Sequence, residues 1–356
     1  MTTPQGKGDF KTSRRELLQA FAAAGAGALL AGETLHAQAN QNDNNRRIDV
    51  HHQYVFSKTG AYPTPPAGWT PEKSLEQMDK FGIQTAILST AGYGDEVYDG
   101  TEKGNTLARK SNEYAAKLVD EHPKRFGFMA ILPFGNVDAS MKEIEYAFDK
   151  LKCDGVGFLS NIYDKWPGDP VYLPIFQELS RRKAVTFIHP FVPKCCRALV
   201  KGVQDYVVEF DFDTTRAVTS LLYNGTLSKC PDMKVIVNHS GAAVPVLSGR
   251  IKDRVPGDES RDHRETEREG KNANIPNGVF YELKKLYYEC AHATYPTSFK
   301  ALLEFAPHDH IMFGTDYSAE PMESTVRQWD AAKLPAQLQR AINRENAERL
   351  FPKFKS

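Results

Sequence analysis

The sequence predicts a closed (β/α)8 barrel, and three observations carry that prediction. Apolar strand-like runs alternate with helix-like runs eight times along the chain, which implies a parallel sheet with helical crossovers. The strand-like runs are apolar rather than alternating, as expected of strands covered on both faces. Four of them end in residues that can bind a metal, at the strand ends where barrels of this kind build their sites. The rival, an open doubly wound sheet, lacks support because no glycine-rich phosphate loop follows the first strand.

In chain order, the first strand is Arg47–His52. A Pro- and Gly-rich loop, Tyr62 to Pro71, leads to a helix over Pro71–Phe81, with proline at an N-terminal position where it is tolerated. Strand two is Gln84–Ser89. The loop Ala91 to Gly104 precedes a helix over Asn105–Glu121, and strand three is Phe126–Leu132. A helix over Ala139–Leu151 leads to strand four, Gly155–Leu159. After the loop Asn161 to Asp169 come a helix over Leu173–Arg182 and strand five, Val185–His189. A long connection then reaches a helix over Thr214–Leu227, strand six at Lys234–Asn238 and a helix over Val244–Lys252. A charged insertion, Asp253 to Pro276, separates these from strand seven, Lys285–Cys290. Its helix is Thr297–Phe305, and strand eight is His310–Gly314. Helices over Glu323–Ala332 and Ala336–Phe351 close the chain.

The chain has 356 residues and a formal net charge of zero, with no basic excess. It therefore lacks the electrostatic footprint of a nucleic-acid binder. Residues 1–39 read as a removable leader. Lys7, Lys11, Arg14 and Arg15 precede an Ala- and Gly-rich run from Leu17 to Leu30, and Ala37-Gln38-Ala39 has the small-x-small form of a cleavage site. Ser13-Arg14-Arg15-Glu16-Leu17-Leu18 resembles the twin-arginine export motif. The apolar run is too short to span a bilayer, so a periplasmic protein with no membrane anchor after cleavage is expected. Residues 40–46 form a polar linker and 47–356 the barrel domain. The five cysteines, Cys153, Cys195, Cys196, Cys230 and Cys290, include no C-x-x-C pair. Their odd count argues against a complete disulfide framework, so they are read as free thiols, two of them neighbours in a loop.

The chemistry is expected at the strand ends. His51 and Gln53 end strand one, two residues apart and so on one face, while His52 faces the other way. His189 ends strand five, His239 follows strand six, and Asp316 follows strand eight. Imidazoles and a carboxylate suit Zn or Mn. Together these residues point to one metal-bearing mouth.

The segments Ile48-Asp49-Val50-His51-His52, Phe187-Ile188-His189-Pro190, Asn238-His239-Ser240-Gly241 with Gly249-Arg250-Ile251, and Phe313-Gly314-Thr315-Asp316-Tyr317 resemble the amidohydrolase superfamily. The similarity is to the branch containing aminocarboxymuconate-semialdehyde decarboxylase and the 6-methylsalicylate decarboxylases, and it runs from Arg47 to Lys353. It implies a metal-dependent decarboxylase of a small aromatic acid, and a homodimer. The family usually has His-x-His on strand one, and Gln53 departs from that pattern. Its amide oxygen can ligate a hard cation but is a weaker donor than imidazole. The expected ligands of the divalent metal are therefore His51, His189 and Asp316, with Gln53 as a weak fourth.

The resemblance makes Asp316 the proton donor. His239 can orient Asp316 or a water, or stabilise charge. Arg216, Arg250 and His292 are candidate contacts for a small-molecule carboxylic acid substrate, the arginines because a guanidinium binds two oxygens at once. Trp69, Tyr93, Tyr98, Tyr163 and Trp166 lie in loops expected on the active face and are candidates to stack on an aromatic ring. His263 is read as solvated, His308 and His310 as lying on the opposite face, and His122 as a helix end. Two other readings stand beside decarboxylation. One is metal-dependent hydrolysis of a lactone, ester or amide. The other is a periplasmic small-molecule binder descended from an enzyme, which Gln53 keeps open.

Overall fold

The computed structural model describes residues 46–56, 69–90, 95–257 and 270–355. The leader, most of the linker, Tyr93 and His263 lie outside them. Eight parallel strands pair in sequence order: β1 (Arg47–Gln53), β2 (Ile83–Ser89), β3 (Phe126–Ile131), β4 (Gly155–Leu159), β5 (Val185–His189), β6 (Lys234–Val237), β7 (Tyr287–Glu289) and β8 (Ile311–Met312). The ring closes through backbone bonds between β1 and the stretch after β8. Val50 N donates to Phe313 O at 3.0 Å, Asp316 N donates to His51 O at 2.8 Å, and His52 bridges Tyr317 in parallel. The expected (β/α)8 barrel is therefore the observed fold.

The principal helices are α1 (Pro71–Lys80), α2 (Glu102–Glu121), α3 (Val137–Asp149), α4 (Leu173–Arg181), α5 (Glu209–Tyr223), α6 (Val244–Asp253), α7 (Pro296–Phe305) and α8 (Met322–Ala331). Their starts follow from capping chemistry. Thr70 accepts from Lys73 N, Thr101 from Gly104 N and Asn136 from Ala139 N, each satisfying a donor the first turn leaves unpaired. Apolar side chains form two layers. One fills the space between the helices and the sheet. The other fills the barrel itself, with Ile48, Val50, Ile87, Met129, Phe187, Ile236 and Met312. Ala347, Phe351 and Phe354 from the C-terminal segment pack against this inner layer.

Several boundaries differ from those predicted. Helix α5 begins at Glu209 rather than Thr214 and stops at Tyr223, because Gly225 takes φ +74° and turns the chain into a separate short helix, Thr226–Lys229. Strand β7 is shorter than expected, since Val279–Lys284 forms a short helix just before it. His310 belongs to a 3-10 turn, His308–His310, and not to β8. The last helix is divided, Ala336–Arg340 and Asn346–Leu350 being α-helical around a π segment, Ala341–Glu345.

The barrel seam is held by a buried carboxylate. Asp49 Oδ1 accepts from His51 N at 3.1 Å and Thr315 N at 3.0 Å. Its Oδ2 accepts from Thr315 Oγ1 at 2.6 Å and lies 3.0 Å from His52 Nδ1. Asp49 is fully buried, so removing the carboxylate strands several donors away from water. We expect Asp49→Ala to destabilise the fold by about 3–5 kcal/mol, the scale for deleting one partner of a buried charged network. The check is the midpoint of urea unfolding; a midpoint within error of wild type would show that the seam holds without the clamp.

Candidate active site

Strand β1 aims its histidines through an irregularity. Ile48 and Val50 face the barrel interior, so strict alternation would turn His51 outward. The pairing of β1 with β2 shifts register between Asp49 and His52, as at a bulge, which re-aims the side chains that follow. His51 thus enters the barrel, with its ring edge-on to Phe187 at 4.8 Å and to His189 at 5.3 Å. His52 points away, as expected, and contacts Ser74 Oγ on α1 at 3.0 Å. Gln53 returns to the His51 side.

His51, His189 and Asp316 meet with ligand atoms within 4.8 Å of one another. The two imidazoles are oriented for metal binding. His51 Nδ1 lies 3.0 Å from Glu289 Oε1, and His189 Nδ1 lies 2.9 Å from the carbonyl of Pro190. Acceptors at both Nδ1 positions fix the tautomers and leave each Nε2 facing the cluster. His51 Nε2 is buried and lies 2.9 Å from Asp316 Oδ1, yet it has no aligned hydrogen-bond partner among the described residues. An orphaned buried nitrogen, a neutral second imidazole and a carboxylate fit a divalent cation. The Gln53 amide closes the group, with Nε2 at 2.5 Å from Asp316 Oδ1 and 3.2 Å from His189 Nε2. The amide nitrogen thus faces two of the expected ligands, and the carbonyl end is the one that can ligate a metal.

Glu289, at the end of β7, escaped the sequence reading. Its Oε1 faces His51 Nδ1 and accepts from His239 N at 2.7 Å, and its Oε2 accepts from Ala291 N at 2.6 Å. Three donors occupy it, so it orients the site rather than ligating. Gly314 is required beside it, because a Cβ there would sit 2.4 Å from Glu289 Oε2. The signal was available, since a carboxylate at the C-terminal end of a strand obeys the same rule that picked out the histidines.

The other oxygen of Asp316 faces a different pair. His292 Nε2 lies 2.9 Å from Oδ2 and His239 Nε2 lies 3.6 Å from it. His292 is therefore placed on the carboxylate, at the rim, where the sequence had suggested a substrate contact. His239 also reaches outward, with Nδ1 3.4 Å from Asp211 Oδ1 on α5. Electrostatics follow this layout. Burial alone would raise Asp316, but His51, His239 and His292 hold it well below the usual carboxylate range. Burial also opposes charge on His51 and His239. The carboxylates of Asp316 and Glu289 outweigh it at His51, pushing it up to about 10, and Asp211 and Asp316 do so at His239, pushing it up to about 9. Burial and the charge on His51 push His189 down to about 3, which keeps it a neutral donor.

The arginines are placed elsewhere. Arg216 lies 3.5 Å from Glu209 and 3.7 Å from Asp213. With Trp166, Thr219 and Tyr223 it lines a cavity of about 460 Å³ along α5 that shares none of the metal-site residues. Arg250 is exposed near the end of α6. Of the loop aromatics, Tyr98 is buried in the core. Trp69 bonds Ser74, Trp166 bonds Asp213, and the Tyr163 ring lies under Lys194. His122 caps the end of α2, as expected.

The family model described as amidohydrolase matches residues 48–353. The chain is 31% identical to 6-methylsalicylic acid decarboxylase of Penicillium expansum, over 87% of this chain and 97% of that protein. It is 30% identical to a decarboxylase of Aspergillus niger, over 86% and 88%. Among solved structures, the dihydroxybenzoic acid decarboxylase of a Polaromonas species, with bound manganese and the inhibitor 2-nitroresorcinol, superposes with a TM-score of 0.76. That match covers 88% of this chain and 98% of the other, at 19% identity.

One prediction concerns metal loading. Without a cation, His51 keeps its second proton up to about pH 10. An ion bound at Nε2 must displace that proton, so binding should release about one proton and tighten as pH rises from neutrality towards that value. Titration calorimetry with Mn in buffers of different ionisation enthalpy measures the release. Heats independent of the buffer would mean that His51 Nε2 is not a ligand.

Proposed function

The chain belongs to the amidohydrolase family, and on that premise we propose that it is a metal-dependent decarboxylase of a small salicylate-type aromatic acid. Two decarboxylases at 30–31% identity across most of the chain support the activity. The observation that carries the reading is the division of Asp316 between two tasks. Its Oδ1 belongs with His51 and His189, the group that would hold the cation, and also accepts from Gln53 Nε2, while its Oδ2 belongs with His239 and His292.

When bound, the cation supplies a Lewis acid for the substrate carboxylate and the neighbouring phenolic oxygen. Manganese is the proposed ion, supported by the manganese bound in the Polaromonas decarboxylase of the same fold. The remaining work falls to this chain's own groups. Loss of CO2 leaves an electron pair on the ring carbon, which must take up a proton. Asp316 is ionised at rest, so its proton arrives from a neighbour. Asp211 and Asp316 push His239 towards its charged form, and its Nε2 lies 3.6 Å from Oδ2 with no aligned hydrogen-bond partner among the described residues. The proton passes from His239 Nε2 to Asp316 Oδ2 and then to the ring carbon. His292, half exposed on the same oxygen, keeps Oδ2 turned towards the mouth.

The decisive assay is product analysis on salicylate-type acids with Mn-loaded protein. CO2 and the corresponding phenol are expected, with Asp316→Asn slowing turnover by about 100-fold or more. Ring opening or ester cleavage without CO2 would transfer the site to the hydrolase reading.

We further propose that the protein reaches the periplasm by the twin-arginine route, on the strength of Ser13-Arg14-Arg15-Glu16-Leu17-Leu18 and the Ala37-Gln38-Ala39 site. Replacing Arg14 and Arg15 together by Lys should confine the protein to the cytoplasm on fractionation. Equal periplasmic recovery of the variant would rule this address out.

A further inference from the structure

The connection between β5 and α5 carries chemistry that the proposed reaction does not use. Cys195 and Cys196 are neighbours in a 3-10 turn, Lys194–Cys196, and their sulfurs lie 2.7 Å apart. Both are free thiols. The turn is firmly placed, since Lys194 N donates to Asp164 Oδ1 at 2.7 Å and Cys196 N donates to Pro193 O at 3.0 Å. Cys195 is exposed and Cys196 is buried beneath it. The pair lies in the stretch whose ends are His189 and Asp211, both part of the site.

We propose that Cys195 and Cys196 form a redox site, which a small disulfide oxidises to a bond between the two neighbouring sulfurs. The geometry divides the labour. Cys195 is the sulfur solvent can reach, so its thiolate attacks one sulfur of the external disulfide. The external S–S bond breaks, one thiolate leaves, and Cys195 carries the other half as a mixed disulfide. Cys196, already in contact, gives up its proton and attacks the Cys195 sulfur, expelling the second external thiolate. The two cysteines lose two electrons and two protons together, and the external disulfide becomes two thiols.

Selectivity comes from burial. The sulfurs of Cys230 and Cys290 are enclosed in the core, and burial raises both thiols as well as that of Cys153, so none competes as a nucleophile. The contact with Cys195 raises Cys196 to about 11, which leaves Cys195 as the attacking partner. Adjacent residues hold their Cα atoms about 3.8 Å apart, closer than the about 4.4–6.8 Å usual for a disulfide. The bond is therefore expected to be strained and to reopen under mild reduction, the behaviour of a reversible site rather than of a structural crosslink.

The test uses the full-length protein in its native state. It is equilibrated with oxidised glutathione, alkylated after denaturation and mapped by peptide mass spectrometry. The peptide holding Cys195 and Cys196 should appear lighter by two hydrogens and unalkylated, and dithiothreitol should restore it. Cys153, Cys230 and Cys290 should remain alkylated throughout. In Cys196→Ser the glutathione adduct should persist on Cys195, because the resolving thiol is gone. A wild-type peptide that stays fully alkylated, or one that stops at the glutathione adduct, overturns the proposal. An unreactive Cys195 in Cys196→Ser would overturn it equally.

Discussion

Everything at the mouth of this barrel depends on the clamp that Asp49 makes across the seam. Its two oxygens hold the backbone of β1 and the backbone and hydroxyl of Thr315 at once. That bond set closes the ring of strands and fixes the relative height of β1 and the segment after β8. His51 and Asp316 sit next to the clamped residues, one on each side. The distance between their ligand atoms is thus a property of the seam, and no loop has to find it. A buried carboxylate in such a place is costly unless all its partners are present, and here they are.

A second constraint lies in the backbone. His239, His292 and Asp316 follow three successive strands, and all three take left-handed conformations, with φ of +49°, +56° and +58°. Residues with side chains rarely adopt this region, and where they do the surrounding structure must enforce it. The enforcement is visible at Glu289, which binds the backbone of His239 and of Ala291, the residue before His292. The side chains that leave these turns meet one another, His239 and His292 both facing Asp316 Oδ2. One buried glutamate therefore shapes two strand exits and also fixes the His51 ring.

The sequence made the barrel and its working end readable, because strand periodicity and residues at strand ends are local signals. The strand bounds of β4 and β5 match the predicted ones residue for residue. What it could not convey depends on contacts between distant segments. The register shift in β1 appears in its pairing with β2; His51 faces the mouth as its place at the strand end predicts, but strict alternation from Val50 does not reveal the bulge that turns it there. The placement of Arg216 depends on which side of α5 meets the loops after β4. Asp213, three residues earlier, binds Ser160, Asn161 and Trp166, and this holds α5 with Arg216 near Trp166, along a separate cavity. Tyr98 reads as a loop aromatic until the short helix Asp95–Tyr98 carries it into the core.

The inner layer of the barrel has a consequence for the order in which the molecule can be completed. Its lining comes from strands spread along the chain, yet Ala347, Phe351 and Phe354, which pack against it, come from the last part of the sequence. The seam contact between Asp49 and Thr315 spans 266 residues. A ribosome making this protein adds those partners only long after the strands they cover. Until then β1 is an open edge and the inner apolar surface lacks one of its covers. The nascent chain must carry both until those residues are made, which makes that interval the time when it most needs protection from its neighbours.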